Sequence, residues 1–233
     1  MQDKELQYSS QGLILHRLPA SKRRGILVAP MPLAAVILAG GRSARMGAPK
    51  ALLDFRGEPF VVRILEALEA LDIKTRLVVV APESEPIRTA MVAHDCMVVE
   101  NPDVDGGPIA SLRRALEALE AVHPPAALVW PVDLPHVHVA TIERLVETYR
   151  RRRGPVTLPT FAGRRGHPVI WDQGLFAELR TSDAATRDGA RAVLHAHADQ
   201  AVLVPVDDPA VTDFINTRAD YERLIREINR DAY

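Results

Sequence analysis

The chain has 233 residues, of which 47% are hydrophobic and 25% are charged, a balance that suits one large globular domain or two small ones. Its formal net charge of -1 excludes the strongly basic field with which many nucleic-acid-binding proteins attract their ligand. The single cysteine, Cys96, excludes an intrachain disulfide and a cysteine-ligated metal cluster, so we expect a protein of the reducing cytoplasm.

Residues 1–31 show no sustained periodicity and are predicted to form a flexible arm. Within this region, Lys22-Arg23-Arg24 precedes a mostly apolar run over residues 25–41, which loosely resembles a secretion signal. Because the basic cluster begins well inside the chain and Pro30 and Pro32 interrupt the run, no export signal is predicted. No segment reaches the ~20 uninterrupted apolar residues that a membrane helix needs, so no membrane partner is expected.

From Leu33 onward, predicted strands and helices alternate. The predicted strands are residues 33–38, 77–80, 97–99, 126–130, 155–158 and 201–206. The predicted helices are residues 59–71, 85–93, 109–121, 140–152, 188–198 and 217–228. This alternation predicts that residues 32–233 form a single α/β domain, with a Rossmann-like, mostly parallel sheet flanked by helices on both faces. A small β-hairpin insertion around Gly163, joining residues 161–165 to residues 168–171, completes the prediction.

The first predicted strand leads into a glycine-rich segment. Gly40 and Gly41 allow backbone N–H groups to approach a bound anion, and Arg42, Arg45 and Lys50 follow closely. A strand, glycines and clustered cations together are suited to cradling a polyphosphate. The segment lacks the Gly-Lys-Ser/Thr of a Walker A loop and the spacing of the dinucleotide fingerprint. Spacing alone leaves open a plain strand-to-helix turn with surface arginines.

Asp133 stands at the carboxyl end of the predicted strand 126–130. A side chain at this position points into the crevice where open α/β sheets bind ligands. Mg²⁺ prefers hard oxygen ligands and often takes only one or two from the protein, so Asp133 is a candidate ligand of Mg²⁺ bound to nucleotide phosphates. A turn or helix-capping aspartate is the alternative.

Two later segments carry polar groups that could meet a substrate. In the segment 213–217, an oxygen side chain could complete the metal site, or Thr217 could simply cap the last helix. Arg164, Arg165 and His167 could meet an anionic second substrate, although His167 could equally be a turn residue before a proline.

Several stretches occur in the same order as in a known enzyme family. They are Leu38-Ala39-Gly40-Gly41-Arg42 with Arg45-Met46-Gly47 and Pro49-Lys50, Asn101-Pro102 with Gly106-Gly107-Pro108-Ile109-Ala110-Ser111-Leu112, Val132-Asp133-Leu134-Pro135, Arg165-Gly166-His167-Pro168-Val169, and Ile215-Asn216-Thr217 with Asp220-Tyr221. The set resembles the MobA/MocA-like NTP transferases, the molybdenum cofactor guanylyl- and cytidylyltransferases of the nucleotide-diphospho-sugar transferase superfamily. The resemblance runs from about Leu33 to the end of the chain.

The resemblance implies a Mg²⁺-dependent enzyme that transfers a nucleoside monophosphate from an NTP to a phosphorylated acceptor and releases pyrophosphate. It implies that the catalytic residues, which also contact the phosphates or their metal ion, are Lys50, Arg42, Arg45 and Asp133. It implies that the nucleotide is bound by Leu38, Ala39, Gly40, Gly41, Arg42, Lys50, Asn101, Gly106, Gly107, Pro108, Ser111 and Asp133. The expected acceptor-binding residues are Arg164, Arg165 and His167.

The metal would be held by Asp133 and Asn216. Cytidylyl relatives carry Asp-Ile-Asp-Thr where this chain has Phe214-Ile215-Asn216-Thr217. An amide oxygen is a weaker ligand than a carboxylate, so Asp213 is the fallback ligand.

The base and the acceptor are left open. Gly40-Gly41, the segment 107–110 and the segment 214–217 resemble the guanylyl branch, whereas the segment 163–168 and Ser111-Leu112 resemble the cytidylyl branch, so GTP and CTP are both candidates. Molybdopterin is the favoured acceptor, with a sugar phosphate or another small phosphorylated molecule as the alternative. A non-catalytic nucleotide-binding domain and a doubly wound oxidoreductase domain are the rival classes. We expect a monomer or a weak homo-oligomer.

Overall fold

The structure is a computed structural model that describes residues 33–41 and 46–231. The predicted N-terminal arm and two of the predicted phosphate-binding cations, Arg42 and Arg45, lie outside the described residues. Within the described part of the chain, no helix is both long and apolar enough to cross a membrane.

The described residues form ten strands and eight α-helices. The strands are β1 (Ala34–Ala39), β2 (Asp54–Phe55), β3 (Glu58–Pro59), β4 (Thr75–Val80), β5 (Met97–Glu100), β6 (Ala126–Pro131), β7 (Val156–Phe161), β8 (Arg164–Arg165), β9 (Val169–Asp172) and β10 (Val202–Pro205). The α-helices are α1 (Phe60–Ala70), α2 (Glu85–Ala90), α3 (Gly107–Ala118), α4 (Val139–Arg152), α5 (Phe176–Thr181), α6 (Asp183–Asp188), α7 (Ala190–Ala196) and α8 (Arg218–Asp231). Short 3-10 helices lie at Lys50–Leu52, Leu119–Ala121, Gln173–Leu175, Ala198–Gln200 and Pro209–Thr212.

The central sheet has the strand order β10-β7-β9-β6-β1-β4-β5, with β8 beside β7. Neighbouring strands are parallel from β6 through β1 and β4 to β5, and β10 is parallel to β7. In this sheet, only β8 and β9 run antiparallel to their neighbours among the described residues. The predicted mostly parallel α/β sheet is therefore confirmed.

The strands at the centre of the sheet are buried on both faces because they consist mostly of apolar residues. In β1, Ala35 and Ile37 pack into the core on one face, while Ala34 and Val36 pack into the core on the other, and all four are 0% exposed. The first core also contains buried residues of α1, α4 and α8, and the second contains buried residues of α3, α5 and α7. Helices therefore cover both faces, as predicted from the continuous apolar runs.

The predicted β-hairpin insertion is wrong for its second arm. A turn at Gly163 does join β7 to the short β8, but residues 168–171 do not pair with residues 161–165. Val169, Ile170 and Trp171 belong instead to β9, which lies between β7 and β6 in the central sheet. These three side chains are at most 4% exposed, and burying them on both faces requires a central position rather than a surface hairpin.

The region between β9 and β10 is also more helical than predicted. Instead of one helix over residues 188–198, the chain forms α5, α6 and α7 in succession. Gly189 separates α6 from α7 with a φ of +73°, a left-handed conformation that interrupts a continuous helix. The resulting α6–α7 junction turns toward the carboxyl edge of the sheet, where the cleft described below is found.

Candidate functional site

A cleft of about 910 Å³ opens at the carboxyl ends of β1 and β6, which is the size of a site for a small molecule. The predicted site residues that line the cleft are Leu38, Ala39, Gly40, Gly41, Lys50, Gly106, Gly107, Pro108, Ser111, Asp133, His167 and Asn216. Distant parts of the sequence therefore meet at the edge of the sheet where a ligand was expected.

Lys50, Asp133 and Asn216 form a polar cluster in this cleft. The Lys50 ammonium donates a hydrogen bond of 3.2 Å to Asp133 Oδ2 and one of 2.9 Å to Asn216 Oδ1. The side chains of Lys50 and Asp133 are only 15% and 19% exposed, so their charges interact more strongly than a surface pair would. The cluster combines one cation with two hard oxygen atoms, which suits a phosphate-bound divalent ion.

The backbone fixes the position of each member of this cluster. The N–H of Val132 donates to the carbonyl of Leu38 at 3.1 Å, which extends the pairing of β6 with β1 to the residue before Asp133. The N–H of Ile215 donates to the carbonyl of Asp133 at 3.0 Å and so places Asn216 beside it. Lys50 begins the 3-10 helix Lys50–Leu52, which follows the glycine-rich segment.

Asn216 also belongs to the cap of the last helix. The Thr217 hydroxyl accepts from the Asp220 N–H at 3.2 Å, and Asp220 Oδ2 accepts from the N–H groups of Thr217 and Asn216 at 2.7 and 3.0 Å. This reciprocal arrangement is a capping box with aspartate in the third position. Thr217 therefore caps α8, which was one of the two interpretations of this segment, while the Asn216 side chain faces Lys50.

Asp213, the fallback metal ligand, has other partners. Arg223 donates two hydrogen bonds to its carboxylate, at 2.8 and 2.7 Å, and His136 Nε2 lies 3.3 Å from Asp213 Oδ2. His136 and then Arg223 hold the pKa of Asp213 well below its ordinary value of 3.8, although burial acts in the opposite direction. Asp213 does not line the cleft, so Asn216 is the residue that the structure brings to Asp133.

The donor set of the cluster fits a magnesium ion. Asp133 Oδ1 is buried and has no hydrogen-bond partner among the described residues, which leaves a hard oxygen available as a ligand. Within the same part of the chain, no group of three or more His, Cys, Asp or Glu side chains could hold a metal. An ion bound by Asp133 and Asn216 would therefore take its other ligands from phosphate and water, as Mg²⁺ commonly does.

The amino end of α3 forms a second wall of the cleft, packed closely against the end of β1. A Cβ atom at Gly40 would lie 2.9 Å from Ser111 Oγ, so a side chain there would force the Ser111 hydroxyl to move. Asn101 is 1% exposed and does not line the cleft. Its amide donates to Ser111 Oγ and to the Asp103 carbonyl at 3.1 and 2.9 Å, so in this structure it holds the loop before α3 in place.

The three predicted acceptor-binding residues lie in different places. His167 lines the cleft, and its ring packs edge-on against Phe214 at 5.3 Å. Burial lowers the pKa of His167 although the charge of Asp133 opposes this, so the ring is neutral at neutral pH. Arg164 and Arg165 are exposed on β8 and do not line the cleft.

Sequence reasoning missed the third wall of the cleft. This wall combines the α6–α7 junction, residues 186–191, with Val169 and Trp171 of β9. The available signal was Arg187 and Arg191, two arginines on either side of a glycine that breaks the helical pattern. Within a stretch of exposed polar residues, such arginines do not differ from ordinary surface residues until the fold places them.

Comparisons with known proteins agree with this geometry. The profile of the MobA-like NTP transferase domain matches residues 35–202. The chain is 32% identical over 123 residues to the molybdenum cofactor guanylyltransferase of Pseudomonas fluorescens, covering 52% of this chain and 58% of that protein. It is 34% identical over 139 residues to the probable molybdenum cofactor guanylyltransferase of Rhodopirellula baltica, covering 56% of this chain and 62% of that protein. The matches thus span less than two thirds of the length of these curated relatives.

Solved structures share the fold. The chain is similar to Rv0371c from Mycobacterium tuberculosis H37Rv, with a TM-score of 0.69 and 26% identity over 83% of this chain and 98% of that chain. A complex of Rv0371c with manganese aligns with a TM-score of 0.66 and 24% identity, over 84% of this chain and 98% of that chain. A nucleotidyl transferase from Methanothermobacter aligns with a TM-score of 0.71 and 23% identity, over 85% of this chain and 98% of that chain. These likenesses confirm the predicted fold of the nucleotide-diphospho-sugar transferases.

Proposed function

The chain belongs to the MobA-like NTP transferase domain family, and on that premise we propose that it transfers a nucleoside monophosphate from GTP or CTP to a phosphorylated acceptor and releases pyrophosphate. The observation that carries this proposal is the meeting of Lys50, Asp133 and Asn216 in one cleft at the carboxyl edge of the sheet. A partly buried carboxylate whose Oδ1 is unpartnered, beside a lysine ammonium, suits a metal-bound triphosphate.

The reaction needs no protein nucleophile. An oxygen of the acceptor's phosphate attacks the α-phosphorus of the NTP in line, and the bond from that phosphorus to the bridging oxygen breaks as pyrophosphate leaves with the electron pair. The protein must hold the two anions in line and offset the negative charge that gathers on the leaving group. We propose that Lys50, which lines the cleft, performs the second task, and that the glycine-rich segment with Arg42 and Arg45 binds the phosphates.

A divalent ion, which we propose to be Mg²⁺, would be held by Asp133 and Asn216. When bound, it would neutralise charge on the triphosphate and polarise the reacting phosphoryl group. The unpartnered Asp133 Oδ1 supports this assignment. The manganese complex of Rv0371c gives further support, since that fold accepts a divalent ion.

Molybdopterin is the acceptor that we favour, because both curated relatives described above are named molybdenum cofactor guanylyltransferases. A sugar phosphate is the second candidate, because the superfamily that the sequence resembles also acts on sugar phosphates. The cytoplasm is the proposed compartment, given the single cysteine.

The proposal is tested by measuring pyrophosphate release with GTP or CTP, Mg²⁺, and either molybdopterin or a hexose 1-phosphate. We expect release that requires one nucleotide, one acceptor and the metal, and a loss of at least ~100-fold in kcat/KM for Asp133→Asn. Asp72→Asn, at a position whose side chain is 79% exposed, is the matched control and should retain activity. If the wild-type protein releases no pyrophosphate under any of these conditions, the proposed function is wrong.

A further inference from the structure

His136 is a largely buried polar residue that the proposed reaction does not use. Its side chain is 12% exposed and does not line the cleft, so it is not placed to touch a substrate. Both ring nitrogens are buried, and neither makes a well-aligned hydrogen bond with the residues that the structure describes. Burying an imidazole without such bonds is unfavourable, so its other contacts are of interest.

The His136 ring faces the carboxylate of Asp213. Nε2 lies 3.3 Å from Asp213 Oδ2, and an attractive contact of this length needs a proton on Nε2, which the neutral ring can supply. The same carboxylate accepts two hydrogen bonds from Arg223 of α8, at 2.8 and 2.7 Å. Asp213 therefore joins the loop that follows β6 to the last helix.

This contact is the second connection between the two segments that carry the proposed metal ligands. The first is the hydrogen bond of 3.0 Å from the Ile215 N–H to the carbonyl of Asp133. His136 stands three residues after Asp133, and Asp213 stands three residues before Asn216. A single hydrogen bond would leave the segments free to rotate about it, whereas two contacts fix their orientation. The distance between the side-chain oxygens of the two ligands therefore depends on both contacts.

His136 also contacts the region that follows Lys50. The ring of Phe55 in β2 is 5% exposed, and its centroid lies 6.5 Å from that of His136 with the ring planes inclined by 46°. Such tilted packing is favourable for aromatic rings. The N–H of Leu53, two residues before Phe55, donates to the carbonyl of Lys50 at 3.1 Å. His136 is thus seated between segments that lead to the cluster from different parts of the chain.

From these contacts we propose that His136 is a positioning residue of the metal site, which holds Asn216 at the correct distance from Asp133 through its contact with Asp213. The role rests on the proposed function and deepens it, because it assigns a residue outside the cleft to the affinity for the divalent ion. His136 should therefore determine how tightly the metal is bound, while the displacement at phosphorus proceeds without it once the metal is in place.

Three variants of the full chain separate the contacts. His136→Phe removes the Nε2 donor and keeps an aromatic ring against Phe55, whereas His136→Gln keeps an N–H donor that can reach Asp213. His138→Phe is the matched control, because the His138 side chain is 69% exposed and lies two residues further along. Circular dichroism and urea denaturation check that each variant is folded.

A binding test is independent of turnover. The probe is Mn²⁺ with GTP or CTP in the absence of an acceptor, and water proton relaxation reports the protein-bound complex. Mn²⁺ replaces Mg²⁺ because it is paramagnetic and also takes hard oxygen ligands. His136→Phe should need at least ~10-fold more protein for half-saturation, as expected when a residue that supports a metal site is removed. His136→Gln and His138→Phe should stay within about threefold of the wild type.

A kinetic test separates positioning from a loss of folded protein. Pyrophosphate release is measured against Mg²⁺ concentration at saturating nucleotide and acceptor. His136→Phe should raise the Mg²⁺ concentration for half-maximal activity at least ~10-fold, while kcat at saturating Mg²⁺ stays within about twofold of the wild type. A purely structural role would lower kcat through the folded fraction and leave the Mg²⁺ dependence unchanged.

Each outcome decides the inference. Unchanged Mn²⁺ binding in a folded His136→Phe overturns it, as does equal weakening by His136→Phe and His136→Gln, since the donor would then not matter. If His136→Phe does not fold, Asp213→Asn tests the same contact from its other side, and unchanged binding there overturns the inference. A wild type that forms no Mn²⁺–nucleotide complex overturns it too. If binding weakens as expected but the wild type releases no pyrophosphate, the positioning role is supported and the proposed reaction is wrong.

Discussion

Lys50 contacts both oxygen side chains that are proposed to hold the metal. Its ammonium lies 3.2 Å from Asp133 Oδ2 and 2.9 Å from Asn216 Oδ1, and all three side chains line the same cleft. A positive charge at this position is suited to a triphosphate, whose leaving group gains negative charge as the reaction proceeds. The role of Lys50 in turnover is the most specific consequence of this arrangement.

Lys50→Ala should lower kcat/KM at least ~100-fold, because it removes a charge-assisted contact to the triphosphate. The loss should appear in steady-state pyrophosphate release for both substrates. Lys74→Ala, whose ammonium is 78% exposed and paired only with Asp72 among the described residues, serves as the control and should behave as the wild type. Turnover by Lys50→Ala within a few-fold of the wild type would show that the cluster is not catalytic.

Asp213 stabilises the fold in a pH-dependent way. Its folded-state pKa lies below the ordinary value of 3.8, so its ionised form stabilises the protein above that pH, and the stabilisation is lost as the pH falls through the lower folded-state value. Asp213→Asn should therefore lower the free energy of unfolding at pH 7, and its difference from the wild type should shrink below pH 3.8. Urea denaturation across this range measures the effect. A difference that stays constant with pH would argue against the role of its partners His136 and Arg223.

Residue patterns in the sequence predict some features of the site but not others. The position of Asp133 in the cleft was predictable because the carboxyl ends of parallel strands face the crevice in which open α/β sheets bind ligands. The partnership of Asn216 with Lys50 was not, because these residues are 166 positions apart and meet only through the sheet edge. Arg187 and Arg191 were missed for the same reason, since the cleft wall that they form depends on how α6 and α7 pack.

At the scale of elements, α3 connects the walls of the cleft. Its amino end lines the cleft through Gly107 and Pro108, and one turn later Ser111 packs beside Gly40. Further along, Arg113 reaches the carbonyls of Leu179 and Ser182 and the hydroxyl of Thr186. The helix thus connects the end of β1 with the α6–α7 junction.

Arg113→Ala should loosen the α5–α6 region, because three oxygen atoms lose a charged donor. We expect a loss of about 1–3 kcal/mol in the free energy of unfolding and faster amide exchange over residues 179–191. Arg114→Ala, on the exposed side of the same helix, should cost less than about 0.5 kcal/mol. Equal exchange in the two variants would mean that Arg113 does not support the junction.

The strands that were predicted from the sequence share a continuous apolar run. The strands β1 and β6 are apolar along their whole length and β4 is apolar from Leu77 to Val80, so each contains the continuous apolar run that is typical of a strand buried on both faces. The strand β9 was assigned to a hairpin because a short apolar run does not encode its pairing partners. The helices α5 and α6 have six residues each, too few for a helical period to appear in the sequence.

At the scale of the whole molecule, the carboxyl ends of the parallel strands determine where the ligand cleft lies. The carboxyl ends of β1 and β6 are adjacent, and the antiparallel β9 continues the sheet on the far side of β6. A ligand cleft therefore spans three strands, with the glycine-rich segment at one end and the α6–α7 junction at the other. The predicted family is confirmed by the profile match over residues 35–202, which covers these three strands.

The central claim is that this cleft binds a nucleoside triphosphate with a divalent ion. A thermal-shift panel of GTP, CTP, ATP and UTP, each with and without Mg²⁺, tests it most directly, because a ligand at ~100 times its Kd adds about 2.7 kcal/mol to apparent stability. We expect a Mg²⁺-dependent rise in Tm that favours GTP or CTP and is lost in Lys50→Ala. A Tm that no nucleotide changes, with or without the metal, would contradict it.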